Sequence, residues 1–167
     1  MMLHIPILRH GAVYQSVEKT VLLHHATGDP VASVSQANSG MISRDIHRMA
    51  DDVLERFTVA ELLAMCKTAA HLFMTATLPC GDAEQTFDYY IANLSATTGM
   101  PITYCRNNAT KIHRVLAEMD TVIRGLTRGF DLGILDKGFG QHNGGTLGYF
   151  RTGRTFGAVL PSNSPGV

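Results

Sequence analysis

The chain has 167 residues, and its 14 Lys and Arg are balanced by 14 Asp and Glu, so the formal net charge is zero. This balance argues against a nucleic-acid-binding or polybasic membrane surface, since both need an excess of basic residues on one face. A hydrophobic content of 45% permits a packed core while only 17% of the residues are charged, so we expect much of the surface to be covered by more protein.

The first segment, residues 1–40, is predicted to be extended and to contain a hairpin. An apolar run from Ile5 to Leu8 predicts a short strand. Two apolar runs, at 21–25 and 31–34, flank the segment Ala-Thr-Gly-Asp-Pro at 26–30. Gly, Asp and Pro are typical turn residues, so the pattern predicts a β-hairpin.

The second segment, residues 41–129, is predicted to form four amphipathic helices. Apolar residues at helical spacing predict the first helix over 41–57, with its stripe facing the core. Thr58 and Glu61 have the spacing of a capping box at the start of the second helix, which Pro79 and Gly81 end.

The same reasoning places the other two helices of this segment. The third is predicted to start near Asp82 and to stop at Gly99, before a proline. The fourth is predicted from about Thr103 to Thr127, with Gly129 as its C-cap.

The third segment, residues 130–167, is predicted to be a glycine-rich linker followed by two extended stretches. Nine glycines fall between Gly129 and Gly157, and helical periodicity is lost. Alternation predicts an edge strand over 147–155 and a strand with its following loop over 156–167. Because α/β proteins place ligands beyond the carboxyl ends of such strands, we expect a site there and a chain that continues past it.

Other clusters of reactive residue types favour a structural interpretation. His24 and His25 are adjacent, but successive strand residues face opposite ways, so we expect no shared metal and no metal site. The glycine-rich stretch 138–145 is interpreted as a connecting loop, since a phosphate-binding loop would lie between a strand and a helix. Cys105, at a helix start, stays open as a weak candidate nucleophile.

The three cysteines and the first residues of the chain indicate a compartment. The cysteines are odd in number and never form Cys-x-x-Cys, which suits a reducing environment. The segment 1–6 lacks the basic and apolar regions of a secretory signal, and the chain has no membrane-length apolar run. We therefore expect a cytoplasmic protein.

Asn163 is the strongest single candidate for chemistry. It lies between Pro161 and Pro165, which restrict the loop and would hold the side-chain amide as a preorganised hydrogen-bond donor. An ordinary strand followed by a turn explains the same residues equally well, so the physics leaves both interpretations open.

The segment 156–165 resembles the aldehyde dehydrogenase superfamily. The family pattern is Gly-Val-(apolar)-x-x-(apolar)-x-Pro-Trp-Asn-Phe-Pro, and this chain has Gly-Ala-Val-Leu-Pro-Ser-Asn-Ser-Pro at 157–165. The segment 26–34 is similar to the family's Thr-Gly-Glu-(apolar) hairpin, and the Arg-containing stretch 149–154 precedes the motif as expected. The resemblance spans the chain but covers only the N-terminal third of a family member.

The resemblance implies a role for each matching residue. Asn163 corresponds to the asparagine that binds the oxyanion formed when a cysteine attacks the aldehyde. Leu160, Pro161 and Ser162 correspond to positions whose backbone lines the nicotinamide end of NAD or NADP. The catalytic cysteine itself lies beyond residue 167. Ser162 and Ser164 depart from the usual Trp and Phe, which leaves the substrate class open.

The resemblance also implies a fold and an assembly. The fold would be α/β, the N-terminal part of an aldehyde dehydrogenase-like fold: β-hairpins, four amphipathic helices, an oligomerisation edge strand and the first part of a Rossmann-like parallel sheet. The enzyme would act on a small-molecule aldehyde as a homodimer or homotetramer. Two alternatives stay open: a CoA-acylating aldehyde dehydrogenase or acyl-CoA reductase, and a non-catalytic helical binding module if the chain ends at 167.

Overall fold

Strands and helices are mixed along the chain in the computed structural model, which describes residues 2–49, 53–150, 152–153 and 157–158. The observed mixture of helices and strands confirms the α/β class predicted from the sequence. The strands are β1 Leu3–Ile5, β2 Ile7–Arg9, β3 Ala12–Tyr14, β4 Lys19–Leu23, β5 Pro30–Ser35, β6 Leu78–Cys80, β7 Ala83–Gln85, β8 Phe139–His142 and β9 Gly145–Gly148. The helices are α1 Ser39–Arg48, α2 Val59–Thr75, α3 Phe87–Thr98, α4 Ile102–Ala117, α5 Met119–Leu126 and α6 Gly133–Lys137.

The chain divides into two compact units. Unit 1 comprises Met1–Met49 and Met74–Thr110, and unit 2 comprises Ala50–Phe73 and Lys111–Val167. Among the described residues, no helix is long and apolar enough to cross a membrane. The three-segment organisation expected from the sequence stays a prediction.

A three-stranded sheet, ordered β1-β5-β4, lies in unit 1. β4 and β5 form the antiparallel hairpin that the turn residues predict, and Gly28 in its turn has a φ of 75°. β1 adds parallel to β5, with Leu3 opposite Ala32. Both of these side chains are buried, and α3 lies against β4 and β5, so the sheet forms one wall of the core of unit 1.

α3 is closed at both ends by the residues that sequence rules favour. The Thr86 hydroxyl accepts a hydrogen bond from the Tyr89 N–H at 3.2 Å. Gly99 has a φ of 76°, and its N–H donates to the Ser95 carbonyl. The predicted end of this helix is confirmed.

The predicted start of α3 near Asp82 is wrong, because residues 78–85 form the hairpin β6–β7 instead. Its turn passes through Gly81, whose φ is 64°. A Cβ on Gly81 would lie 2.1 Å from the His4 carbonyl oxygen, so only glycine fits there. The hairpin takes the residues that would have formed the first turn of the helix.

The first helix also differs from its prediction. α1 ends at Arg48, Met49 is extended with a ψ of 121°, and residues 53–56 form turns. The predicted core stripe faces outward, since Ile42, Ile46 and Met49 are each about half exposed. The apolar residues keep helical spacing beyond the end of α1. Such spacing shows which side chains would share one face of a helix, but it does not show where the backbone leaves the helix.

The fourth predicted helix is two helices, α4 and α5, joined at Glu118. Glu118 has φ −102° and ψ 20°, outside the helical range, although its N–H still donates to the Arg114 carbonyl. After α5, the Gly129 N–H donates to the Arg124 carbonyl and the Arg128 N–H to the Gly125 carbonyl. These two bonds form a Schellman motif in which Arg128, with a φ of 55°, takes the left-handed position. The predicted end of the helix near Thr127 is confirmed, but Gly129 is not its C-cap, which is Thr127.

The interpretation of the glycine-rich stretch 138–145 as a connecting loop is wrong, because residues 139–148 form the hairpin β8–β9. Its two-residue turn, Asn143 and Gly144, has φ of 50° and 80°, the conformation for which Asn-Gly is favoured. The strand predicted over 147–155 is shorter, since β9 ends at Gly148 and residues 149, 150, 152 and 153 are not in a strand. Gly148 is the last paired residue of β9 because its partner, Phe139, is the first residue of β8. Phe139 directly follows Gly138, the C-cap of α6.

Candidate functional site

The residues with predicted roles in chemistry, Leu160, Pro161, Ser162 and Asn163, lie outside the described residues. Their oxyanion-binding and cofactor-binding roles stay predictions. Other possible sites are therefore built from the part of the chain that the structure describes.

A groove of about 800 Å³ lies in unit 2 at the start of α2. It is lined by residues 54–59, Leu62, residues 135–138 and residues 149–150. Tyr149 is placed there by its N–H, which donates to the Gly138 carbonyl at 2.8 Å, and by its ring, which packs against Phe130. The walls come from α2, α6 and the end of the β8–β9 hairpin.

The N-terminus of α2 faces this groove but is capped by the chain itself. The predicted capping box is confirmed: the Thr58 N–H donates to Glu61 Oε2 at 2.8 Å, and the Glu61 N–H donates to Thr58 Oγ1 at 3.2 Å. The Thr58 N–H and hydroxyl hold the pKa of Glu61 below its ordinary value. Asp136 Oδ1 accepts the Val59 N–H at 2.8 Å. These three donors are therefore taken, and the groove does not offer them to a phosphate.

The charges in the groove balance. Arg56 and Lys137 are matched by Glu55 and Asp136, and the Arg56 guanidinium lies 5.6 Å from the centre of the Phe57 ring. Aromatic rings at 57, 149 and 150 add apolar surface. The groove therefore lacks the convergent cationic donors of a nucleotide-phosphate site.

A second polar cluster, buried in unit 1, was not singled out from the sequence. His4 Nδ1 lies 2.8 Å from Ser33 Oγ and His4 Nε2 lies 3.1 Å from Ser35 Oγ. Ser35 Oγ also accepts the Ser16 N–H at 3.1 Å. Each ring nitrogen of His4 therefore faces a serine hydroxyl, a group that can donate or accept a hydrogen bond.

This His–Ser cluster is structural. His4, Ser33 and Ser35 are each no more than 7% exposed, so the serine hydroxyls are inaccessible to a substrate. The cluster ties β1 to β5, since His4 is the register partner of Ser33. The alternation Ser-x-Ser on one strand face was visible in the sequence, but its approach to His4 depends on the parallel pairing.

His24 and His25 do not face opposite ways, contrary to what strand geometry predicted. Both residues follow the end of β4, and their rings stack with centroids 5.0 Å apart instead of facing opposite ways. His24 Nδ1 accepts the N–H groups of Ala26 and Thr27, at 3.2 and 3.4 Å. Within the described residues, no group of three or more His, Cys, Asp or Glu could hold a metal ion.

The cysteines of the chain are free thiols. Cys105 is fully buried, with Sγ 3.8 Å from the Met100 carbonyl oxygen, so it is inaccessible as a nucleophile. Burial raises the pKa of the Cys80 thiol, which reduces its thiolate fraction. Cys105 and Cys80 are therefore poor candidates for a catalytic thiolate.

Comparison of the chain with protein-family models and with curated proteins gives no match.

Proposed function

We propose that this chain forms the N-terminal part of an NAD(P)-dependent enzyme that oxidises a small-molecule aldehyde. The support is the resemblance of residues 156–165 to the asparagine motif of the aldehyde dehydrogenase superfamily. The observation that carries the proposal furthest is the β4–β5 hairpin. It has Thr27-Gly28-Asp29 in its turn, where the family has Thr-Gly-Glu, so the acidic position holds Asp instead of Glu.

The order of elements also supports this proposal. Hairpins within 1–35 come first, helices follow from 39 onward with the β6–β7 hairpin between α2 and α3, and the glycine-rich β8–β9 hairpin precedes the motif. The proposed fold is the N-terminal part of an aldehyde dehydrogenase-like fold, which would continue into the first part of a Rossmann-like parallel sheet.

The proposed chemistry starts with a cysteine thiolate from beyond residue 167. Its sulfur attacks the aldehyde carbon, a C–S bond forms, and the carbonyl oxygen takes up the electron pair as an oxyanion. Asn163 donates its side-chain N–H to that oxygen, where charge develops, and so lowers the barrier. NAD or NADP, when bound, supplies the hydride acceptor, and the backbone of Leu160, Pro161 and Ser162 would line its nicotinamide end. Loss of a hydride from the carbon of the thiohemiacetal to that acceptor would leave a thioester on the cysteine. Water would then hydrolyse the thioester to a carboxylate and the free thiol.

The groove in unit 2 gives no support for a cofactor site, since the N–H groups of Thr58, Val59 and Glu61 are bonded to Glu61, Asp136 and Thr58. The resemblance places the catalytic cysteine and most cofactor contacts beyond residue 167. We therefore expect residues 1–167 alone to lack tight binding of NAD or NADP and to lack aldehyde oxidation. Calorimetry with each cofactor tests this, and micromolar binding would contradict the placement.

Asn163→Ala in the full-length enzyme tests the proposed catalytic role. Loss of one oxyanion donor should lower kcat by about 10²–10³ while Tm stays within a few degrees. Asn163→Asp should be at least as damaging, since a carboxylate repels the developing charge. Ser164→Ala, at the next position, is the matched control and should keep kcat. A near-normal kcat with only a higher KM would make Asn163 a substrate-binding group instead.

A second candidate is a CoA-acylating aldehyde dehydrogenase or an acyl-CoA reductase on the same scaffold. Serine at 162 and 164, where the family usually has Trp and Phe, leaves more space beside the reacting carbon. Product analysis with and without CoA separates the two candidates: an acyl-CoA product supports the second, and a carboxylate formed regardless of CoA supports the first.

We also propose that the full-length enzyme is a homodimer or homotetramer. The exposed apolar side chains on α1 support this, because unpaired apolar surface favours association. Light scattering at micromolar concentration measures the mass, and a clean monomer would contradict the proposal.

A further inference from the structure

α1 is attached to unit 1 in an unusual way. None of its ten residues is buried. Met41 and Asp45, which are one turn apart on the same face, are half-buried, and the other eight are exposed. The helix therefore meets its surroundings through that face, while Ile42 and Ile46 are left half exposed. Burial of apolar surface contributes little to holding α1 in place.

The polar contact on that face is a two-bond ion pair with strand β2. Arg9 Nε donates to Asp45 Oδ2 and Arg9 Nη2 donates to Asp45 Oδ1, both at 2.6 Å. The two side chains are each 21% exposed. His10 Nε2 lies 3.6 Å from Asp45 Oδ1. Parallel bonds between a guanidinium and a carboxylate fix orientation as well as distance, so this pair sets the position of α1.

The β2–β3 hairpin holds Arg9 ready for this contact. Ile7 is the register partner of Tyr14 and Arg9 that of Ala12, so Arg9 and Tyr14 are diagonal neighbours on one face. The Arg9 guanidinium carbon lies 4.7 Å from the centre of the Tyr14 ring. The ring supports the guanidinium from one side while Asp45 binds its edge.

We propose that the Arg9–Asp45 pair is an electrostatic latch, and that its release lets α1 open locally while the rest of unit 1 stays folded. This ion pair is the polar contact that joins α1 to β2. The apolar side chains of α1 stay about half exposed in the closed position, so their burial contributes little free energy to it. Local opening of such an element costs little free energy compared with unfolding of the core. Ionic strength controls the latch, because salt screens a partly exposed pair. The proposal is independent of the proposed enzymatic function.

Amide hydrogen exchange of the 167-residue chain tests the latch through the variant Asp45→Asn. Exchange over residues 39–48 should become about two- to fivefold faster, the range expected for losing a partly exposed ion pair. Exchange over α3 should not change. Asp88→Asn is the matched control: it breaks the Arg106–Asp88 pair at 2.8 Å, elsewhere in unit 1, and should leave residues 39–48 unaffected.

Salt and substitution of Tyr14 give two further tests, since a contact that did not depend on charge or on the ring would respond to neither. About 1 M NaCl should speed exchange over 39–48 in the natural chain and have no further effect in Asp45→Asn, since the Debye length falls to about 3 Å. Tyr14→Ala should loosen α1 whereas Tyr14→Phe, which keeps the ring, should not. Unchanged exchange over 39–48 in Asp45→Asn would overturn the proposal. Equal acceleration over α1 and α3 would also overturn it, because the effect would then be global.

Discussion

Two helices of unit 1, α1 and α3, begin in the same way but are held by different forces. Asn38 caps α1 by accepting the Met41 N–H at 2.8 Å, and Thr86 caps α3 by accepting the Tyr89 N–H at 3.2 Å. Each cap satisfies one of the backbone donors left free at a helix start. The local chemistry that starts the two helices is therefore equivalent.

Their packing is opposite. Ile91 of α3 is fully buried in a core that includes Leu3 and Ala32 of the sheet, whereas Ile46 of α1 is 51% exposed. α3 is stabilised by burial of apolar surface, and α1 by an ion pair. A cap and an apolar stripe therefore predict that a helix forms. They do not predict whether the stripe of that helix is buried.

The largest expected effect comes from truncating an isoleucine on each helix. Ile91→Ala should lower the free energy of unfolding by about 2–5 kcal/mol, because it leaves a cavity in a closed core. Ile46→Ala, the matched change on α1, should stay within about 0.5 kcal/mol, as for other surface positions. Urea denaturation followed by circular dichroism measures both. Equal losses at the two positions would mean that the stripe of α1 is buried in solution.

The next effect comes from replacing a glycine by alanine on each helix. Gly99 ends α3 with a φ of 76°, and a Cβ there would lie 3.1 Å from His25 Nδ1. Gly99→Ala should therefore cost about 1–2 kcal/mol. Gly40 lies in the first turn of α1, and its Cβ would make only an ordinary contact with Asn38 Oδ1 at 3.5 Å.

Gly40→Ala should accordingly stabilise the protein, by about 0.5–1 kcal/mol, since alanine has the higher helix propensity and the unfolded chain loses freedom. Thermal unfolding of the two variants side by side gives the sign of each effect. Destabilisation by Gly40→Ala would show that α1 has neighbours close to residue 40.

The smallest effect is the pH dependence of the ion pair on α1. Hydrogen bonds from Arg9, and then the charges of Arg9 and His10, hold the pKa of Asp45 below its ordinary value of 3.8. Because the folded pKa lies below the unfolded one, the contribution of the pair is fully present above about pH 4 and is lost as pH falls through the lowered pKa. Two further groups with ionisable side chains lie near the pair: Tyr14, which faces Arg9, and Arg48, which lies about one turn after Asp45 on α1.

Exchange over residues 39–48, corrected for intrinsic rates, should therefore accelerate in this acid range in the natural chain. Asp45→Asn should show no such step, while α3, which has no part in the pair, should behave alike in both proteins. A step of the same size in both proteins would assign the titration to another group.

Features that depend on residues close together in the chain were predictable. The turn at Gly28, the Thr58–Glu61 box and the end of α3 at Gly99 each follow from the conformational needs of a few neighbours. The Asn143–Gly144 turn is of the same kind, but it was interpreted as part of a connecting loop although an Asn-Gly pair between extended runs is its signal.

Element lengths were less predictable. The break at Glu118 involves no Pro or Gly, and the apolar periodicity continues across it into α5. β9 stops at Gly148 because its partner strand starts at Phe139, a constraint that alternation within 147–155 does not contain. The role of Asn163 stays a prediction.

The sequence by itself determined the mixed α/β class, the main hairpin and the capped ends of helices, since these depend on backbone conformation and hydrogen bonds within one turn or strand. Tertiary structure alone decided which surfaces are buried. His4 meets Ser33 and Ser35 only because β1 pairs parallel to β5. α1 turns Asp45 inward because Arg9, 36 residues away, binds it. Periodicity states which side chains share a face, but the free energy of burial depends on the partner that the rest of the chain brings to it.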